Sequence, residues 1–116
     1  MTEARRGRVA LERAVADAKS DAERARAEFE LGAFHDRNSR EAEAIPHYEA
    51  ALEAGIDGED RARCLAWLAS SLYKTGRPQE AISRVKAAWA TTQDAELGRF
   101  VSNLERRVYR SMGRRR

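Results

Sequence analysis

The sequence predicts an all-α chain of stacked antiparallel helical hairpins with a flanking helix at each end, and three observations predict it. Charged residues make up 35% of the 116 positions and Pro occurs only twice. Ala, Glu, Arg and Leu dominate, which favours helix over the β-branched and aromatic composition of strands. Apolar residues recur at three- and four-residue spacing in six separate runs, as a buried helix face requires. The middle of the chain also repeats itself at a fixed offset, with identities at polar as well as apolar positions. A chain of this size can bury roughly two thirds of its unfolded surface, enough for one continuous core, and 1–116 is read as a single domain.

Residues 1–20 are expected to form an N-terminal capping helix with a thin apolar stripe, Leu11 and Val15 lying four apart. Ser20 and Glu23 then supply a capping box and open the first hairpin, 21–55. Its first helix runs to about Arg37, carrying Ala25, Phe29, Leu31, Gly32, Ala33 and Phe34. Asn38 and Ser39 break it. The second helix carries Ala44, Ile45, Tyr48, Ala51 and Leu52 and stops at Gly55. Pro46 lies inside it and removes the amide that would bond the Ala42 carbonyl, so a kink or a loosened first turn is expected. Ile56–Asp60 reads as a loop, with Asp57 as a cap. The second hairpin, 57–90, has Cys64, Leu65, Leu68, Leu72 and Tyr73 in a helix ending at Gly76. Pro78 suits the first turn of the next helix, whose stripe is Ala81, Ile82, Val85, Ala88 and Trp89. Thr91 or Thr92 is expected to cap a C-terminal capping helix, 92–113, with the stripe Leu97, Val101, Leu104 and Val108 flanked by Phe100 and Tyr109. Residues 114–116 are a basic tail.

The repeat has an offset of 37, which places Leu31 on Leu68 and Gly32 on Ala69. It also places Arg40, Glu43, Ala44, Ile45, Ala50 and Ala51 on Arg77, Glu80, Ala81, Ile82, Ala87 and Ala88. These residues resemble the tetratricopeptide repeat pattern, Trp-x2-Leu-Gly-x2-Tyr followed by Ala-x3-Phe and Pro. The first copy reads Leu31-Gly32-x2-His35 and Ala44-x3-Tyr48; the second reads Leu65-x2-Leu68-Ala69-x2-Leu72 and Ala81-x3-Val85. Glu28 stands in the first Trp slot, neither copy ends in Pro, and the spacing is 37 rather than 34, a surplus that fits the Ile56–Asp60 loop. The run from Arg40 through Pro46, Leu52, Gly55 and Glu59 resembles a small bacterial two-repeat member, over about residues 21–110. The resemblance implies a tetratricopeptide-like α-α superhelix, with Gly32, Ala69, Ala44 and Ala81 kept small where paired helices touch.

It further implies a concave groove, lined by the first helix of each hairpin, that holds an extended peptide or a partner helix. Carried onto this chain, the groove residues are Arg26, Phe29, Ala33, Asp36 and Arg37, with Arg63, Ala66, Trp67, Ser70, Tyr73 and Lys74. Arg37, Arg63 and Lys74 could meet an acidic segment or a terminal carboxylate, and Phe29, Trp67 and Tyr73 could be apolar anchors. The other reading is that these cations form a solvated face, the aromatics packing on neighbouring helices, or that the face serves self-association. The Lys and Asn that clamp terminal carboxylates in chaperone-binding members are unmatched, Phe29, Glu30 and Ala33 standing there.

Other chemistries find little footing. A binding module, not an enzyme, is expected, with no cofactor and no metal. His35 occupies an aromatic slot and reads as a core histidine, His47 is the only other, and Cys64 lies on a buried stripe. Glu41, Glu43, Glu59, Asp60, Asp94 and Glu96 fall near helix N-termini, where carboxylates offset the helix dipole. The lone cysteine and the absence of an apolar run behind the N-terminal arginines suggest a cytoplasmic chain with no membrane span. Net charge is +3, yet Arg106, Arg107, Arg110, Arg114, Arg115 and Arg116 sit together without an acid; the +3 less these six leaves −3 elsewhere. A whole-domain nucleic-acid surface is therefore not indicated, and the alternative function is an adaptor for nucleic acid or an acidic partner through this C-terminal helix. The expected partner is another protein or peptide, with a homodimer through Leu97, Val101, Leu104 and Val108 as a further expectation.

Overall fold

The computed structural model describes residues 2–113, and among them every regular element is helical: α1 (Glu3–Asp17), α2 (Asp21–Arg37), α3 (Glu41–Glu53), α4 (Gly58–Lys74), α5 (Pro78–Thr91) and α6 (Ala95–Gly113). Two compact units result. The first ends at Ile56 and holds α1, α2 and α3; the second starts at Asp57 and holds α4, α5 and α6. The 37-residue offset governs the helices themselves. α2 and α4 start at 21 and 58 and end at 37 and 74, and α3 and α5 start at 41 and 78. Ser20, Asp57 and Asp94 precede α2, α4 and α6 at the same interval.

The corner between the helices of each hairpin is built identically. After α2, Ser39 takes a left-handed φ of 59°, and after α4 Gly76 does so at 84°. Ser39 N–H donates to the Asp36 carbonyl at 3.0 Å and Arg40 N–H to the His35 carbonyl at 2.9 Å; Gly76 and Arg77 repeat this on Tyr73 and Leu72 at 3.2 and 2.8 Å. This pair of reversed bonds satisfies the last carbonyls of the helix and turns the chain into the next one. Arg40 and Arg77 then stand at the N-cap of α3 and α5 with nearly the same backbone angles. Arg77 closes its corner by two 2.8 Å bonds to Glu80, one per carboxylate oxygen. Those bonds hold the exposed Glu80 carboxyl below the usual carboxylate range.

Across each hairpin a small residue meets a large one. A Cβ on Gly32 would lie 2.8 Å from two carbons of the Tyr48 ring, closer than packing allows. Tyr48 is fully buried and its hydroxyl donates to Asp36 at 2.9 Å, so the ring cannot retreat. At the matching places of the second hairpin stand Ala69, larger than Gly32, and Val85, smaller than Tyr48, both fully buried. Ala44, Ala51, Ala81 and Ala88 are likewise at 0% exposure, as close helix approach demands. Leu68 and Leu72 complete the α4 core, each burial contributing about 1.5–3 kcal/mol. α1 packs on α2 through Gly7, which lies against the Phe34 ring, and buries none of its residues fully.

Four local expectations change. α4 begins at Gly58, so Gly58–Asp60 form its acidic first turn rather than a loop; Asp57 is at the N-cap but its side chain makes no cap bond. Asp94, not Thr91 or Thr92, caps α6, its carboxylate accepting from Glu96 N–H at 2.9 Å. Thr91 instead ends α5, its hydroxyl donating to the Ala87 carbonyl, and Thr92 is bound to Glu59 on α4 at 2.8 Å. Glu23 donates its N–H to Ser20 Oγ at 3.1 Å as expected, but its carboxylate accepts from Lys19 rather than Ser20. The first turn of α3 is not loosened at Pro46, because only the Ala42 carbonyl loses its amide there and Glu43 and Ala44 keep their bonds to Arg40.

Two substitutions test this packing. Gly32→Ala gains about 1 kcal/mol of helix propensity but meets the immobile Tyr48 ring, so thermal unfolding should show a net loss of about 1–2 kcal/mol. Ser39→Gly removes a left-handed serine and should stabilise by about 1 kcal/mol, whereas Gly76→Ser should destabilise by a similar amount.

Candidate partner-binding surfaces

On the first helix of each hairpin, the groove residues read from the sequence lie on one stripe at helical spacing. On α2 it is Arg26, Phe29 with Glu30, Ala33, and Asp36 with Arg37; on α4, 37 residues on, it is Arg63, Ala66 with Trp67, Ser70, and Tyr73 with Lys74. The same register on α6 gives Phe100, Asn103, Arg107 and Arg110.

In the first unit Arg26, Glu30 and Arg37 are exposed. Phe29 is not the anchor the sequence suggested. It is 6% exposed, its ring centroid 6.2 Å from that of Tyr48, because α2 is apolar around most of its circumference and α3 covers that side. Asp36 is half-buried and accepts the Tyr48 hydroxyl. Sequence reasoning passed over Glu30, which matches Trp67 under the 37-residue offset. Arg26 and Glu30 also border a shallow depression of about 440 Å³ between α1 and α2.

In the second unit Trp67 and Tyr73 are half-buried and Lys74 is exposed in the last turn of α4. Arg63 is half-buried and pairs with Asp60 at 2.6 Å. Ser70 is 8% exposed and is corrected from a contact residue to part of the packed interior, since the small side chain lies at the level where α4 is closed in. Arg107 of α6 lies over the Tyr73 ring, 6.0 Å from its centroid. The sequence assigned Arg107 to a basic tail, but the repeat offset carries Ser70 onto it and could have placed it here.

The proposed self-association stripe is also corrected. Leu97, Val101, Leu104 and Val108 are 8%, 1%, 0% and 0% exposed. An amphipathic stripe records that a helix face is buried, and in this unit α4 and α5 do the burying. Arg106 and Arg110 are exposed, Arg106 bonding the Asn103 side chain. Arg114, Arg115 and Arg116 lie outside the described residues.

The two histidines form a stacked pair in the first unit, ring centroids 5.5 Å apart and 15° from parallel. His47 Nδ1–H donates to the Glu28 carboxylate at 2.8 Å, since a carboxylate can only accept. His35 is buried, and its Nδ1 faces both Arg40 Nε at 3.3 Å and Glu43 Oε2 at 3.8 Å. The closer partner decides the state: Arg40 must donate, so this nitrogen is unprotonated, and Glu43 pairs with Arg40 instead at 4.0 Å. Burial holds the His35 pKa below the usual 6.5; Glu43 opposes this, while His47, Arg40 and Arg8 reinforce it. Cys64 is equally enclosed, its thiol pushed up to about 12 by burial, which leaves it unreactive at neutral pH. Among the described residues no group of three or more His, Cys, Asp or Glu side chains is placed to hold a metal, and no helix is long and apolar enough to cross a membrane. For His35 the unfolded chain takes up the proton more readily than the folded one. Its contribution is therefore intact above about pH 6.5 and is lost as pH falls below that value. Urea unfolding of the wild type should show this decline, and His35→Leu, which installs the residue found at position 72, should flatten the pH 6.5–5 interval.

A sequence profile of the family described as Tetratrico peptide repeat matches residues 25–116. No curated protein and no solved structure matches the chain. The matched span begins inside α2 and takes in both hairpins and α6, the elements that recur every 37 residues. The chain belongs to the tetratricopeptide repeat family.

Proposed function

We propose that this chain is a non-catalytic adaptor that holds a peptide or helix of another protein against the first helices of its repeats. Tetratricopeptide repeats serve contacts between proteins, which sets the class of function. The observation that carries the finer reading is the α4 and α6 face of the second unit. There the Tyr73 ring lies under the Arg107 guanidinium, with half-buried Trp67 six residues earlier on α4 and Lys74 exposed beside Tyr73. Partly exposed aromatics supply apolar anchoring area at low entropic cost, and a guanidinium resting on one of them is pre-oriented for a carboxylate. In the first unit the matching stripe offers Arg26, Glu30 and Arg37 at the surface, a more polar and purely electrostatic lining. The enclosed Cys64 and the inward, Arg40-bonded His35 support a role without catalysis.

The test uses peptides selected on the wild-type protein from a random display library. Tyr73→Ala and Lys74→Glu in the second unit, and Arg37→Glu in the first, touch no fully buried residue. They should leave the melting temperature within a few degrees while weakening the selected peptides about tenfold or more. Peptides that bind all three variants as tightly as wild type would place the contact elsewhere and sink the reading.

A further inference from the structure

Among the described residues, three of the four large apolar side chains left most exposed belong to the last two helices: Trp89 at 52%, Tyr109 at 46% and Phe100 at 37%. They do not share one face. Phe100 lies on the α4 side of α6 with Arg107, whereas Trp89 and Tyr109 lie on the opposite, α5-facing flank. Trp89 projects from α5 across Gly98, where an added Cβ would come within 2.9 Å of the indole, so the glycine leaves room for the benzo edge of the ring. Beside it is an open depression of about 470 Å³ bordered by Trp89, Gly98 and Arg99 together with the polar Gln93, Asp94 and Ser102. About three helical turns beyond Gly98 and two beyond Ser102, Tyr109 continues the same flank, since residues 98, 102 and 109 fall within a narrow sector at 100° per residue. Arg99, Arg106 and Arg110, spaced seven and four apart, form the adjoining ridge.

The charge on this ridge has no internal answer. Among the described residues no carboxylate pairs with Arg99, Arg106 or Arg110, and the one acid between Arg99 and Gly113, Glu105, is half-buried. Like charges four apart on a helix repel by a few tenths of a kcal/mol, a cost that carboxylates from outside would reverse. The exposed acids Asp94 and Glu96 stand at the N-terminal end of α6, Asp94 bordering the same depression as Arg99, and away from Arg106 and Arg110. The flank is also unsuited to another helix of the kind that closes the two hairpins. Where α2 and α4 carry Leu31-Gly32 and Leu68-Ala69 against their second helices, the 37-residue register gives α6 Glu105-Arg106. Two exposed aromatic rings beside a row of arginines without carboxylate partners fit a helix-in-groove mode of recognition.

We propose that the Trp89–Tyr109 flank, rimmed by Arg99, Arg106 and Arg110, is a second docking surface that receives an amphipathic helix with an acidic edge from another protein. The partner's carboxylates lie toward the C-terminal half of α6 and its apolar stripe covers Trp89 and Tyr109. This surface is distinct from the α4 and α6 face described under the proposed function and stands whether or not that face binds peptide.

A labelled synthetic 18-residue peptide, Leu and Phe on one helical face and Glu elsewhere, tests it by fluorescence anisotropy against the full chain. The expected result is saturable binding that Arg99→Glu/Arg106→Glu weakens about tenfold or more, that Trp89→Ala also weakens, and that Arg63→Glu/Lys74→Glu leaves within about twofold. A scrambled peptide of the same composition should bind at least about tenfold more weakly. Loss of binding in the Arg63/Lys74 variant alone would move the peptide to the other face and overturn the proposal. Equal binding of the scrambled peptide, tighter binding of a single-stranded oligonucleotide, or no saturable binding at all would overturn it as well. So would sedimentation showing that a second copy of the chain occupies the flank in a dimer that Arg99→Glu/Arg106→Glu dissolves.

Discussion

Each hairpin closes because a side chain of limited size on the first helix meets a larger one on the second, and the backbones can approach only as far as that pair allows. In the first hairpin the pair is Gly32 and Tyr48; in the second the corresponding places hold Ala69 and Val85. From the first pair to the second the sizes change in opposite directions, the first-helix residue growing and the second-helix residue shrinking. That compensation is what a close-packed interior enforces: volume is conserved across the contact even where identity is not. The corner reinforces it. Ser39 and Gly76 adopt the same left-handed turn, and Arg40 and Arg77 restart the chain at the same angle. Once separation and corner are set, the rotation of α2 and α4 about their axes is set too, and with it the identity of the residues left facing outward.

This ordering explains what could be read without the structure. The helices, the 37-residue offset and the smallness of Gly32, Ala44, Ala69 and Ala81 were legible because they follow from periodicity and from identical residues recurring at polar positions. Gly76, Gly55 and Pro78 were legible as punctuation, because backbone geometry restricts which residues stand there. The misreadings have a common origin in contacts distant along the chain. Thr92 looked like the cap of α6, but Glu59 of α4 accepts both its hydroxyl and the Gln93 N–H, at 2.8 and 2.6 Å, so the capping falls to Asp94. The same Glu59 made Ile56–Asp60 look like a loop, since a glycine flanked by acids signals a turn as readily as a helix N-terminus.

The candidate surfaces were legible in register but not in exposure. Helical spacing grouped Phe29 with Arg26 and Ser70 with Tyr73 correctly, yet α2 is buried continuously from Leu31 to His35, with Phe29, Ala27 and Ala25 just before, and α4 from Leu68 to Leu72. A helix enclosed on most sides leaves only a narrow outward strip, and spacing alone does not say which member of a stripe lies at its centre. For α6 the reverse held. Its single clean stripe, Leu97 to Val108, was read as a surface for a second copy, when the chain's own α4 and α5 already occupy it.

That difference gives α6 its particular character. α4 is enclosed by partners on several sides and buries nine residues; α6 buries five, all in one sector, and leaves the rest of its circumference to solvent. A helix packed on one face can display chemistry on two others. Toward α4 it places Arg107 on Tyr73 beside Phe100; toward α5 it supports Trp89 on Gly98 and continues to Tyr109. Arginines line the strip between these two faces, and their mutual repulsion is tolerable because α6 is anchored by apolar burial rather than by ion pairs of its own. The cationic ridge is thus free to act on whatever approaches either flank, and the aromatic residues on each side decide which approach becomes a bound state.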